Sequence, residues 1–213
     1  MNPIRFAPLF IAVLLTGFAL AGPATAQDLD AGKAAYAICL ACHAADGAGN
    51  QPLNSPAVAG QEDWYLERQI KYFKEGIRGK HPKDIFGAQM VPMVMTLPDE
   101  AAVKNVAAYI ASLPPAPPAA STVKGDAAKG KQTFSTICAT CHGQDGKGQK
   151  VMNAPNLTLL QDWYLERQLK HFKEGIRGAD PKDIFGQQMR PMAMTLPDDQ
   201  AIKDVVAFID SLK

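Results

Sequence analysis

Apolar residues recur along this chain at helical spacing, and they do so in two matching sets. From Asp63 to Glu75 the pattern places Trp64, Ile70 and Phe73 near one side and leaves Glu67, Arg68, Lys71 and Lys74 toward solvent. Asp162 to Glu174 repeats that arrangement, and Gly76 and Gly175 supply the stop signals. A later segment opens with Pro98-Asp99, and again with Pro197-Asp198. Its apolar positions Val103, Val106, Ala107 and Ile110 recur as Ile202, Val205, Val206 and Ile209. Shorter helices are expected over 31–39 and 127–138, with Asp30 and Asp126 as N-caps. No alternating strand pattern of useful length interrupts these segments, so the expected class is all-α.

The repetition is close enough to fix the domain organisation. The 36 residues from Trp64 match those from Trp163 at 29 positions, at an offset of 99 and without a gap. The same offset carries Asp46-Gly47 onto Asp145-Gly146, read as turns, and Pro56 onto Pro155. The chain is a tandem duplication, with an N-terminal domain at 27–113 and a C-terminal domain at 124–213. Residues 114–123 join them, and four prolines in the five residues after Leu113 favour an extended, semi-rigid linker. Each domain has roughly 85 to 95 residues, near the lower end of what a side-chain core alone stabilises.

Residues 1–26 read as an export signal. Arg5 is their only charge, an apolar run follows, and Ala24-Thr25-Ala26 is a small-x-small cleavage site, which predicts a mature chain beginning at Gln27. The alternative is an uncleaved anchor facing the periplasm, but Gly17, Gly22 and Pro23 interrupt the run. Without this segment the chain carries 21 basic and 21 acidic residues, a balance that argues against nucleic acid as a partner. The charge is unevenly shared: 8 basic and 10 acidic groups in 27–113, against 13 and 11 in 114–213. The two domains therefore present different faces to partners, and peripheral membrane association stays open.

All four cysteines fall in two copies of one motif, Cys39-x-x-Cys42-His43 and Cys138-x-x-Cys141-His142. Cys-x-x-Cys-His is the attachment signature of a c-type haem: two thiols form thioethers with the porphyrin, and the histidine becomes an iron ligand. Redox-active disulfides of the thioredoxin kind expect a βαβ context, and zinc knuckles lie roughly 15 to 20 residues apart. Simple structural disulfides suit an oxidising compartment. None of these alternatives calls for a histidine after the second cysteine. For the opposite iron position, His81 pairs with Asp180 in the repeat and His171 with Tyr72, so no histidine is available in both halves, and both are expected at the surface. Met90, Met93 and Met95 have counterparts in Met189, Met192 and Met194, and most of these are expected to be core side chains.

These residues resemble a known family. The Cys-x-x-Cys-His motif is followed by a helix containing Trp-Tyr-Leu, then a methionine loop, then Leu-Pro-Asp and a terminal helix. This order is similar to class I cytochrome c, and the two-domain form resembles the dihaem cytochrome c4-like family over nearly all of the mature chain. The resemblance implies two tandem helical domains, each wrapped around one covalently attached haem. It implies Cys39, Cys42, Cys138 and Cys141 as attachment points, His43 and His142 as iron ligands, and Met90 and Met189 as the opposite ligands, with Met93 and Met192 in reserve. It also places Pro56 and Pro155 where a backbone carbonyl supports the iron-binding histidine. Trp64, Tyr65, Arg68 and Arg78, with their counterparts Trp163, Tyr164, Arg167 and Arg177, are candidates to bond haem propionates or ordinary helix residues. The implied function is a periplasmic electron carrier between a respiratory or dehydrogenase donor and a terminal oxidase or reductase, and not an enzyme. The competing functions are a catalytic dihaem protein, of peroxidase or thiosulfate-oxidising type, and an electron-transfer subunit of a larger oxidoreductase.

Overall fold

The computed structural model describes Met1 and residues 27–213, so the expected export signal lies outside the described residues. Among the described residues the regular structure is helical, with two isolated bridges, Asn50 to Ser55 and Gln149 to Ala154. The N-terminal domain runs α1 (Leu29–Tyr36), α2 (Leu40–His43), α3 (Asp63–Lys74), α4 (Ile85–Val94) and α5 (Glu100–Ser112). The C-terminal domain repeats the order with α6 (Ala127–Thr133), α7 (Ala139–His142), α8 (Asp162–Lys173), α9 (Ile184–Met194) and α10 (Asp199–Asp210). No described helix is long and apolar enough to cross a membrane.

Aspartates start most of these helices. Asp28, Asp84 and Asp99 accept from Ala31, Gly87 and Ala102 backbone N–H groups, and Asp126, Asp183 and Asp198 do the same in the second half. The first cap is therefore Asp28 and not the expected Asp30, which lies in the first turn. The reason is a change of register. Downstream of the cysteine motif the halves align at an offset of 99, whereas Asp28, Gly32 and Tyr36 match Asp126, Gly130 and Phe134 at 98. The C-terminal domain accommodates its extra residue in a π turn, Phe134–Cys138, where the N-terminal domain has a 3₁₀ turn, Ala37–Cys39.

The methionine segments also differ from expectation: they are the helices α4 and α9, not loops. Pro92 and Pro191 lie within them, but each is close to the C-terminal end, so the missing N–H disturbs only the last turn.

In each domain the first and last helices cross and bury the core. Tyr36, Leu66, Leu97, Val103, Val106 and Ile110 form it in the N-terminal half, and Phe134, Leu165, Ile202, Val205, Val206 and Ile209 in the C-terminal half. The crossings are tight. A Cβ on Gly32 would lie 2.1 Å from the Asn105 carbonyl oxygen, and one on Gly130 would lie 1.8 Å from that of Asp204.

The two domains dock through a self-complementary face. Arg68 donates to the Asn153 side chain and carbonyl at 3.1 and 2.9 Å, and Arg167 donates to Asn54 at 2.9 and 3.0 Å. Arg68 stacks on Phe185 and Arg167 on Phe86. The Ala57 N–H reaches the Gln161 side chain, and the Asn156 N–H reaches that of Glu62. Each contact recurs with the halves exchanged, which is the reciprocity of a two-fold interface within one chain. Arg68, expected to face solvent, is held there because its guanidinium finds a planar partner and two acceptors.

The linker is held at both ends. Gly60, adjoining the domain interface, packs against Pro115, and Asp162 accepts from the Thr122 and Val123 backbone N–H groups.

Candidate functional site

Each cysteine motif spans a break between two short helical turns. Cys39 ends the 3₁₀ turn and Cys42 and His43 lie on α2, while Cys138 ends the π turn and Cys141 and His142 lie on α7. Both cysteines and the histidine of each motif consequently line one cavity. The N-terminal cavity has an empty volume of 1420 Å³ and the C-terminal one 1170 Å³, each including its open mouth.

The histidines are buried and oriented. His43 Nδ1 donates to the Pro56 carbonyl at 2.8 Å, and His142 Nδ1 donates to that of Pro155 at 3.0 Å. A carbonyl only accepts, so Nδ1 carries the proton and Nε2 keeps its lone pair. Burial lowers both pKa values, against the opposing effect of the proline carbonyls, and so favours the neutral, metal-binding form. Burial, followed by the neighbouring Cys42 or Cys141, pushes the Cys39 and Cys138 thiols up to about 11. A thiol of that kind is a poor disulfide-exchange nucleophile, which argues against the thioredoxin-like alternative.

Of the repeated methionines, Met90 and Met93 line the N-terminal cavity and Met189 and Met192 the C-terminal one, which Met152 also lines; Met95 and Met194 line neither. Trp64 and Trp163 also stand outside both cavities. Tyr65, Gln69, Tyr164 and Gln168 line both, so the two cavities share a wall at the domain interface. Arg78 and Arg177 are only 6 % exposed. Arg78 donates to Gln69 at 2.8 Å and Arg177 to Gln168 at 2.7 Å, and each also reaches the other domain's glutamine.

Buried Nε–H donors of Arg68, Arg78 and Arg177 have no hydrogen-bond partner. Unpaired cationic donors against an apolar cavity are costly unless an anion meets them. A haem fits this arrangement: its apolar ring matches the cavity, its vinyl carbons the thiols, its iron the histidine Nε2, and its carboxylates the orphaned guanidinium donors.

The haem motif, the repeat and the family resemblance pointed to the cysteines, histidines, methionines and arginines, but Asn54, Asn153, Gln69 and Gln168, which complete the polar wall, were not singled out. All four are conserved between the halves at offset 99, and that identity was the available signal. His171 also departs from expectation, because its side chain is 12 % exposed and lies at the domain interface.

Comparison with known proteins agrees with this geometry. The Cytochrome c family model matches residues 29–114 and 127–213. Cytochrome c4 of Thiocapsa roseopersicina is 33% identical over 195 residues, covering 87% of this chain and 93% of that protein. The thiosulfate dehydrogenase electron acceptor of Thiomonas intermedia is 32% identical, covering 77% and 74%. The crystal structure of reduced recombinant cytochrome c4 from Pseudomonas stutzeri superposes with a TM-score of 0.69 at 28% identity, covering 88% of this chain and all of that one. With two Cys-x-x-Cys-His motifs in two matching cavities, the cofactors are two covalently bound haem c groups. The chain belongs to the cytochrome c family, as a dihaem member of the cytochrome c4 kind.

Proposed function

We propose that this dihaem electron carrier works in the periplasm, with each iron closed between a histidine and a methionine: His43 with Met90, and His142 with Met189. The observation that carries this reading is the pairing, within each cavity, of a histidine of fixed tautomer with methionine sulfur. Each bound haem supplies a one-electron iron couple. A methionine ligand raises its potential relative to a second histidine, and two protein ligands leave no position for a substrate.

The chain's own residues then do three things. Pro56 and Pro155 hold the imidazoles in the metal-binding tautomer. Arg78 and Arg177, dry and flanked by glutamines, offset the charge of the haem carboxylates. The shared wall of Tyr65, Gln69, Tyr164 and Gln168 brings the two centres together for relay between domains. Partners are redox proteins that dock transiently on the exposed apolar rims, Ile38, Leu53 and Met93 on one domain and Met152 and Met192 on the other. The relative from Thiomonas intermedia is named for accepting electrons from thiosulfate dehydrogenase, which supports a dehydrogenase as one class of donor.

The test is a stopped-flow cycle of the purified holoprotein. Uptake of two electrons per chain from a reductant, their full return to an oxidant, and no turnover of peroxide or thiosulfate support the carrier. Multiple turnover of either substrate by the protein alone rejects it.

A further inference from the structure

The interface that pairs the halves is symmetric in its arginines, asparagines and phenylalanines, but Gln61 is matched by Leu160 and Glu62 by Gln161, and a third position exchanges a phenol for an imidazole. Tyr72 on α3 is matched by His171 on α8. Tyr72 and Asp183 both line the C-terminal cavity. In the mirrored place His171 Nδ1 stands 3.8 Å from Asp84 Oδ1, and Asp84 lines the N-terminal cavity. The imidazole is largely buried, and its Nδ1 has no hydrogen-bond partner.

The charged groups around it come from four places. Asp84 faces it from the start of α4, Arg167 from one turn earlier on α8, Arg177 from the turn after α8, and Arg78 from the turn after α3. Asp84 itself is engaged, accepting from Gly87 and Gly79 N–H groups at 3.0 and 3.2 Å. An imidazolium formed here adds one positive charge beside a residue that walls the N-terminal cavity. The phenol in the mirrored place gains no charge at acidic pH.

We propose that His171 couples the reduction potential of the N-terminal haem to pH and leaves the C-terminal haem without that coupling, so that one side chain makes two nearly identical sites unequal. The inference rests on the reading of both sites as closed redox centres. The balance is simple: the iron gains one electron, His171 gains one proton, and the local charge is conserved. Burial leads in holding the imidazole neutral, and the three arginines add to it against Asp84, so proton uptake falls below the ordinary histidine range. A nearby cation favours the ferrous state, so the N-terminal potential rises as pH falls through that region. By reciprocity, reduction raises the proton affinity of His171.

The experiment is a redox titration of the holoprotein between pH 5 and 8, following haem methyl resonances by NMR to separate the two centres. His171→Tyr, which copies the N-terminal half, and His171→Gln are titrated alongside. The imidazole of His171 is titrated in the ferric and ferrous states. A threefold higher proton affinity in the ferrous state corresponds to about 28 mV, at about 59 mV per tenfold change for one electron. The expected result is a rise of that order at the N-terminal haem only, absent in both variants. Equal slopes at the two haems, or a slope that survives in both variants, assigns the proton to another group, a haem carboxylate or Glu62, and overturns the proposal. A pH-independent wild type overturns it as well. Binding of carbon monoxide by the wild type would instead fail the closed-centre reading, so the two failures are distinguishable.

Discussion

Met90 and Met93 sit three residues apart on α4 and line the same cavity, yet Met93 is 37 % exposed whereas Met90 is partly covered. If Met90 is the iron ligand, Met90→Ala opens the N-terminal centre and half of the haem in the chain binds carbon monoxide. Met93→Ala leaves both centres closed, and the reverse outcome transfers the role to Met93. Asp162 makes a second prediction at this scale. Burial pushes its carboxyl up, but the Val123, Thr122 and Trp163 N–H groups outweigh burial and hold it below the ordinary value of 3.8. The folded chain therefore prefers the carboxylate. The stabilisation is complete above the unfolded value and is lost as pH falls through the lower folded one. Asp162→Asn is expected to cost about 1 to 3 kcal/mol at pH 7 and progressively less in strong acid, measured by denaturant unfolding of the holoprotein across pH.

Helix packing depends on glycine at two crossings. Gly32 lets α1 meet α5, and Gly130 lets α6 meet α10, at distances that leave no room for a methyl group. Gly130→Ala forces the helices apart and is expected to destabilise by about 1 to 3 kcal/mol or more, seen as a lower thermal midpoint; an unchanged midpoint would mean the crossing can relax. The helices α3, α5, α8 and α10 were legible in the sequence because their apolar spacing and Leu-Pro-Asp starts are local signals. The Asp28 cap was not, because the register between the halves slips by one residue and only the π turn before Cys138 reveals where. The methionine helices were not legible either. Pro92 and Pro191 argue against a helix, and the caps supplied by Asp84 and Asp183 decide the matter. At the site, the haem motif was plain from spacing, whereas the carbonyls of Pro56 and Pro155 entered only through family resemblance. The surface placement expected of Arg68 and His171 failed because helical periodicity cannot distinguish a solvent face from a domain interface.

The whole molecule is two cytochrome c domains joined face to face by contacts that each half supplies to the other. Removing both arginine clamps, Arg68→Ala with Arg167→Ala, deletes four hydrogen bonds between domains at once. At about 1.5 to 3 kcal/mol for each bond to a charged group, the docked arrangement should loosen, with a larger radius of gyration in solution and faster proteolysis within 114–123. An unchanged radius would place the docking energy in the stacked phenylalanines and glutamines instead. The central claim, that both irons are closed and the molecule only carries electrons, is tested most directly by the visible spectrum of the reduced holoprotein with and without carbon monoxide, with haem counted per chain. The account predicts two haems and no spectral change on adding the gas. A clear shift at either haem would mean an accessible iron, and would contradict a carrier closed by histidine and methionine at both centres.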